Sequence, residues 1–129
     1  MPGPLEGYRV IDFTNVIAGP YATMILADQG ADVIKIEPPE GDTMRSRPPL
    51  RDGHSAYFGT LNAGKRSVVL DLKTEEGRRD AFALAKTADV VLENFRPGVM
   101  ARLGLGYDAL SAANPRLIYC AVSGFGQQG

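Results

Sequence analysis

Apolar positions along the chain fall into short, β-branched runs that alternate with longer stretches of helical spacing. Residues 8 to 13, bounded by Gly7, read as a buried strand. Gly19-Pro20 then opens a helix, since proline is favoured in a first turn where its missing N–H costs nothing. The helix runs through Gln29 and stops at Gly30, a residue suited to the left-handed C-terminal position. Residues 32 to 37 form a second strand. Strand, helix and strand within about 30 residues make a βαβ unit with parallel strands.

Residues 38 to 56 interrupt the rhythm with turn formers and three arginines, Arg45, Arg47 and Arg51, and are expected to be an irregular loop. A strand is expected at 67 to 72, then a helix from Glu75 to Ala85 capped by Thr74, and a strand at 89 to 93. Short helices at 97 to 103 and 107 to 113 and a last strand at 116 to 122 complete the pattern. The fold class is α/β, an open, doubly wound, mostly parallel sheet. Ligands of such sheets bind beyond the carboxyl ends of the strands, here Thr14 to Pro20, Glu37 to Arg47, Leu72 to Thr74 and Glu93 to Pro97.

Composition narrows the chemistry. The 129 residues carry 14 Lys plus Arg against 15 Asp plus Glu, a formal charge of −1, which argues against bulk nucleic-acid binding and against an acidic membrane surface. One Cys and one His exclude a disulfide scaffold and a Cys/His zinc cluster, and no metal site is expected. Cys120, inside an apolar run, is expected to be a small buried hydrophobe. No leader pattern opens the chain and no stretch approaches a membrane span, so a cytoplasmic location is the expectation.

The turn after the first strand, Thr14 to Pro20, lacks the spaced glycines of a dinucleotide fingerprint. Gly64-Lys65-Arg66-Ser67 lacks the first glycine of a phosphate loop and leads into a strand. Lys65, Arg66, Lys73, Arg96 and Arg102 stand at element ends, where cations either converge on phosphates or form ordinary solvated charge. Asn94-Phe95-Arg96-Pro97-Gly98 joins an amide, an aromatic face and a guanidinium before a proline-opened helix; the alternative is a simple turn. His54 reads as an exposed loop histidine. Asp12, Asp32 and Asp89 form no catalytic pair by spacing.

Longer segments resemble one family. Residues 4 to 13, Ala18-Gly19-Pro20, residues 30 to 37, Gly41-Asp42 with Arg45, residues 62 to 73, residues 88 to 98, Arg102-Leu103-Gly104, residues 114 to 118 and Gly124-Phe125-Gly126-Gln127 match in order and spacing. In these the chain resembles the N-terminal part of the class III CoA-transferases, the superfamily of formyl-CoA transferase, carnitine-CoA transferase and α-methylacyl-CoA racemase. The resemblance implies a Rossmann-like large domain that binds coenzyme A as substrate, with no tightly bound cofactor, and an interlocked homodimer. It implies that Ile17 and Ala18 line the nucleotide and pantetheine path. Leu72 and Lys73 would flank the adenosine end, and Asn94, Phe95, Arg96 and Arg102 would hold pantetheine and phosphates. Some relatives carry His and Gln where this chain has Asn15 and Ile17, and a basic residue where it has Pro38, which argues against a close formyl-CoA transferase equivalent.

In that family an Asp carboxylate attacks the acyl-CoA thioester, giving an anhydride and then an enzyme-bound CoA thioester that passes CoA to an acceptor carboxylic acid. The resemblance puts that Asp downstream of the Gly124 to Gln127 segment and beyond Gly129, the last residue of the sequence. The expectation is therefore an N-terminal piece, residues 1 to 129, that carries much of the CoA site, no catalytic residue of its own and no turnover alone. The alternatives are the racemase branch, which works by proton abstraction beside the thioester, a noncatalytic CoA-binding module, and a generic Rossmann oxidoreductase or methyltransferase.

Overall fold

The computed structural model describes residues 2–129. In chain order the elements are β1 (Arg9–Asp12), α1 (Ala18–Asp28), β2 (Asp32–Glu37), a 3-10 turn (Thr43–Ser46), β3 (Leu50–Arg51), β4 (His54–Ser55) and α2 (Ala56–Leu61). They continue with β5 (Arg66–Val69), α3 (Glu75–Lys86), β6 (Val90–Glu93), α4 (Val99–Arg102), α5 (Tyr107–Ala113) and β7 (Ile118–Ala121). Five strands form one sheet in the order β5-β2-β1-β6-β7, and every neighbouring pair is parallel. The order reverses at β1, with β2 and β5 on one side and β6 and β7 on the other. This is the doubly wound arrangement the alternation predicts.

The central strands β1, β2 and β6 are largely apolar on both faces because helices cover both. Val10, Val33 and Leu92 pack with Ala22, Leu26 and Ala27 of α1. Ile11, Phe13, Ile34, Ile36 and Val91 point the other way, onto Ala81 and Ala85 of α3, Met100 of α4 and Leu110 of α5. Successive side chains thus serve opposite layers, as a period of two requires.

Thr74 caps α3 by accepting from the Gly77 amide at 3.0 Å, and Glu75 and Glu76 lie in the first turn, where the helix dipole favours acids. Thr74→Ala is expected to cost about 1 kcal/mol of unfolding free energy in a urea titration.

Four expectations need correction. Residues 38 to 56 are more ordered than a loop: Asp42 caps the 3-10 turn through the Met44 amide, and Leu50–Arg51 pairs antiparallel with His54–Ser55. Helix α2 follows directly, capped by Ser55, where no element is expected. Elements this short carry too little periodicity to register in the pattern. The strand expected at 67 to 72 starts one residue earlier and ends at Val69, freeing Leu70, Asp71 and Leu72 to turn towards α3. Finally, Cys120 is exposed, not buried. Strand β7 is at the sheet edge; Tyr119 packs inward, and Ile118 and Cys120 face away, where no helix of the described chain covers them.

Candidate functional site

Where the strand order reverses, the turns after β1 and β6 diverge and leave a cleft of about 370 Å³. Its floor is Phe13 just after β1, Ile36 from β2 and Leu70 after β5. Phe95, Val99 and Leu103 form one wall, and Pro38, Pro39, Leu72 and Lys73 the other. The surface is chiefly apolar, with Asn15, Glu40, Asp71 and Lys73 as its polar members. Such a slot suits an apolar or amide-bearing chain whose charged end lies at the mouth.

The turn at 71 to 74 is fixed locally. Asp71 Oδ1 accepts from the Lys73 amide at 3.0 Å, and Thr74 Oγ1 donates to the Asp71 carbonyl at 2.8 Å. The Arg78 guanidinium donates to the carbonyls of Leu72 at 3.1 Å and Lys73 at 3.0 Å. Lys73 is exposed, and its ammonium is free of any ion pair among the described residues.

The turn after β1 is held residue by residue. Lys35 Nζ donates to the Thr14 carbonyl at 2.7 Å. The Asn94 amide brackets Asn15, accepting from its N–H at 2.9 Å and donating to its carbonyl at 2.8 Å. Asp42 Oδ1 accepts from the Val16 amide at 3.4 Å. Val16 is held at φ 71, a left-handed conformation that a β-branched residue adopts only when its surroundings impose it. Gly19 lets α1 begin against this turn, since a Cβ there would overlap the Thr14 side chain.

Beneath the turn lies a buried polar layer on the α1 side of the sheet. Asp12 receives Lys65 Nζ at 2.9 Å and the hydroxyls of Thr23 at 2.6 Å and Thr14. Burial pushes the Lys65 ammonium below its usual range, and the Asp12 charge opposes that. Lys35 Nζ stands 2.9 Å from Asp42 Oδ2 as an ion pair outside hydrogen-bonding geometry, both side chains enclosed. Glu37 accepts from Arg45, the Asp42 amide and Ser67. Burial works against its charge, but these donors win, and the carboxyl is held at about 2.

A group depressed in the folded state contributes stability above its unfolded value and loses it on acidification. Stability measured by urea unfolding is therefore expected to fall between about pH 4.5, the ordinary value, and about pH 2, in part through Glu37. Glu37→Gln is expected to flatten that part of the profile.

Residues 5–129 match the profile of CoA-transferase family III. The chain belongs to this family. Over 128 residues it is 52% identical to the acetyl-CoA:oxalate CoA-transferase of Acetobacter aceti, an alignment covering 98% of this chain and 33% of the relative. It is 49% identical over 129 residues to the succinyl-CoA:mesaconate CoA-transferase of Haloarcula hispanica, covering 96% and 33%. The crystal structure of a CAIB/BAIF family protein from Brucella suis matches it with a TM-score of 0.94 at 46% identity, over 100% of this chain and 35% of that one. The family III chain thus spans about a third of the length of the curated relatives it matches.

Within this family III chain, the structure brings Leu72, Lys73 and Phe95 together in the cleft. Asn94 sits beside them, but its amide is engaged by Asn15. Ile17, Ala18, Arg96 and Arg102 are exposed and do not line the cleft. Gly129, beyond which the resemblance puts the nucleophilic Asp, is likewise exposed and outside the cleft lining. Arg102 folds over Gly98, where a Cβ would come 2.9 Å from Nη1. Two of the cations weighed as phosphate contacts are engaged elsewhere: Lys65 pairs with Asp12, and Arg66 with Asp32 at 2.6 Å. The sequence assigns Lys35 no role, dismisses Asp12 as part of a catalytic pair, and marks Glu37 only as the start of a strand-end segment. Their signal is positional, because all three are charged residues on one face of otherwise apolar central strands, with Asp12 and Lys35 in register.

Proposed function

We propose that these residues form the CoA-binding part of an enzyme that moves CoA from an acyl-CoA thioester to an acceptor carboxylic acid. One observation carries the reading: in a family III chain, an apolar slot at the strand-order reversal is lined by Lys73, whose ammonium has no ion-pair partner among the described residues. Pantetheine is a slender amide chain that fits such a slot, and the CoA phosphates are anions that a free ammonium attracts. Leu72 and Lys73 flank the adenosine end in this reading, and Phe95 packs against pantetheine. Exposed Ile17, Ala18, Arg96 and Arg102 border the path, with Asn94 setting the turn that carries the first two. The substrates named for the relatives, oxalate and mesaconate, support a carboxylic acid as acceptor.

Chemistry in this reading belongs to an Asp that follows Gly129 in family order, so residues 1 to 129 grip CoA and leave the nucleophilic step to the rest of the enzyme. The same proposal includes the interlocked homodimer that the family resemblance implies, and a cytoplasmic location. No helix among the described residues is long and apolar enough to cross a membrane.

Isothermal titration of the chain with CoA tests the reading. Binding is expected, and Lys73→Glu is expected to weaken it on the order of tenfold through charge reversal beside the phosphates. Heat from NAD or S-adenosylmethionine with none from CoA would overturn it.

A further inference from the structure

Glu93 ends β6 and is 5% exposed, yet no cation pairs with it among the described residues. Its carboxylate makes two directed contacts. Oε2 accepts from the Phe95 amide at 2.9 Å, and Oε1 accepts from the Tyr119 hydroxyl at 3.3 Å. Tyr119 lies on β7 and is itself braced edge-to-face by Tyr107 of α5, with ring centroids 6.1 Å apart. Glu93 also borders a second, smaller cavity of about 190 Å³ beside Gly98, Met100 and the two tyrosines. Burial raises the Glu93 carboxyl above its ordinary range, against the pull of the Phe95 amide and the Tyr119 hydroxyl.

The amide that Glu93 grips belongs to the residue whose ring walls the larger cleft, and the residue between them, Asn94, is the one that brackets Asn15 on the opposite turn. Tyr107 and Tyr119 fix the acid, the acid fixes the Phe95 backbone, and both turns of the cleft depend on the angle at which the chain leaves β6. We propose that Glu93 is a positioning residue of the CoA site, acting through the Phe95 amide to set the ring of Phe95 and the amide of Asn94. The inference rests on the CoA reading above.

The test measures CoA affinity by calorimetry for the native chain, Glu93→Ala, Glu93→Gln, Phe95→Ala and the Glu93→Ala/Phe95→Ala pair, with circular dichroism to establish folding. Glu93→Ala is expected to weaken CoA by up to about tenfold, as loss of the hydrogen bond that holds the Phe95 amide implies. Glu93→Gln, whose amide oxygen still accepts from Phe95, is expected to recover most of that. In the Phe95→Ala background Glu93→Ala is expected to add little, since a group acting through another is non-additive with it. Should Glu93→Ala fail to fold, Tyr119→Phe removes one anchor of the acid and is expected to weaken CoA in the same direction by a smaller factor. The Phe95 amide proton supplies a second readout: it is expected to resonate downfield in the native chain and to move upfield in Glu93→Ala. Native-like affinity in a folded Glu93→Ala or Tyr119→Phe chain, or full additivity with Phe95→Ala, would overturn the positioning role while leaving the CoA reading intact. Absence of CoA binding by the native chain would instead remove the CoA reading, and the role with it.

Discussion

Lys65→Met is expected to lower the unfolding free energy by about 3–5 kcal/mol, the range seen when one partner of a buried ion pair is removed. The Lys65 side chain is 2% exposed and Asp12 is fully enclosed, so water cannot replace the lost ammonium. Thr14 and Thr23 would still donate to Asp12, but neutral hydroxyls do not balance a buried charge. Lys65 also donates to the Pro20 carbonyl at 3.0 Å and to Asn62 at 2.8 Å, so its loss loosens the start of α1 and the end of α2 together. Urea titrations of native and variant chains measure the difference. Asp12→Asn added to Lys65→Met is expected to restore a large part of the loss, because the stranded charge is then gone. A single variant within about 1 kcal/mol of the native chain would mean that the pair is far better hydrated than its enclosure implies.

Gly77→Ala is expected to destabilise by about 3 kcal/mol, at the upper end of ordinary overpacking. A Cβ at Gly77 would overlap the Asp71 carbonyl oxygen and lie 3.0 Å from Thr74 Oγ1. The first of these is backbone in a turn braced by Arg78, Asp71 and Thr74, so it has little freedom to retreat. Relief requires α3 to move away from the turn that carries Leu72 and Lys73. The variant is therefore expected to lose CoA affinity along with stability, measured by thermal melting and by calorimetry on the same preparation. A native melting temperature would show that α3 shifts without cost.

The sequence makes the layered fold legible for a simple reason. Parallel strands buried on both faces appear as short continuous apolar runs, and α1 and α3 are long or well capped enough to mark their own limits. Thr74 is recognisable as a cap before any coordinates, and residues 32–37 and 107–113 keep their expected bounds. What escapes is what depends on the third dimension. Helix α2 and the short hairpin are stabilised by their neighbours, Arg45 stacking 3.9 Å from the Phe58 ring among them, and not by periodicity. Cys120 reads as interior because its run is apolar, yet exposure depends on whether a layer lies over that face of β7.

The site is legible to a similar degree. Phe95, Leu72 and Lys73 stand out at strand ends, and they converge. Lys65 and Arg66 stand out for the same reason and are claimed by Asp12 and Asp32, because a cation's partner is chosen by distance in space. Asn94 is legible as special in the turn, but its amide is directed at Asn15 across the cleft, a pairing 79 residues apart in sequence.

The measurement closest to the central claim is a titration of the isotopically labelled chain with CoA, followed by amide chemical shifts. Saturable shifts are expected at Leu72, Lys73 and Phe95 on the two sides of the cleft, with residues of β3 and β4 unmoved. Shifts confined to other surfaces, or none at CoA concentrations that saturate a full-length family III transferase, would contradict the assignment of this cleft to coenzyme A.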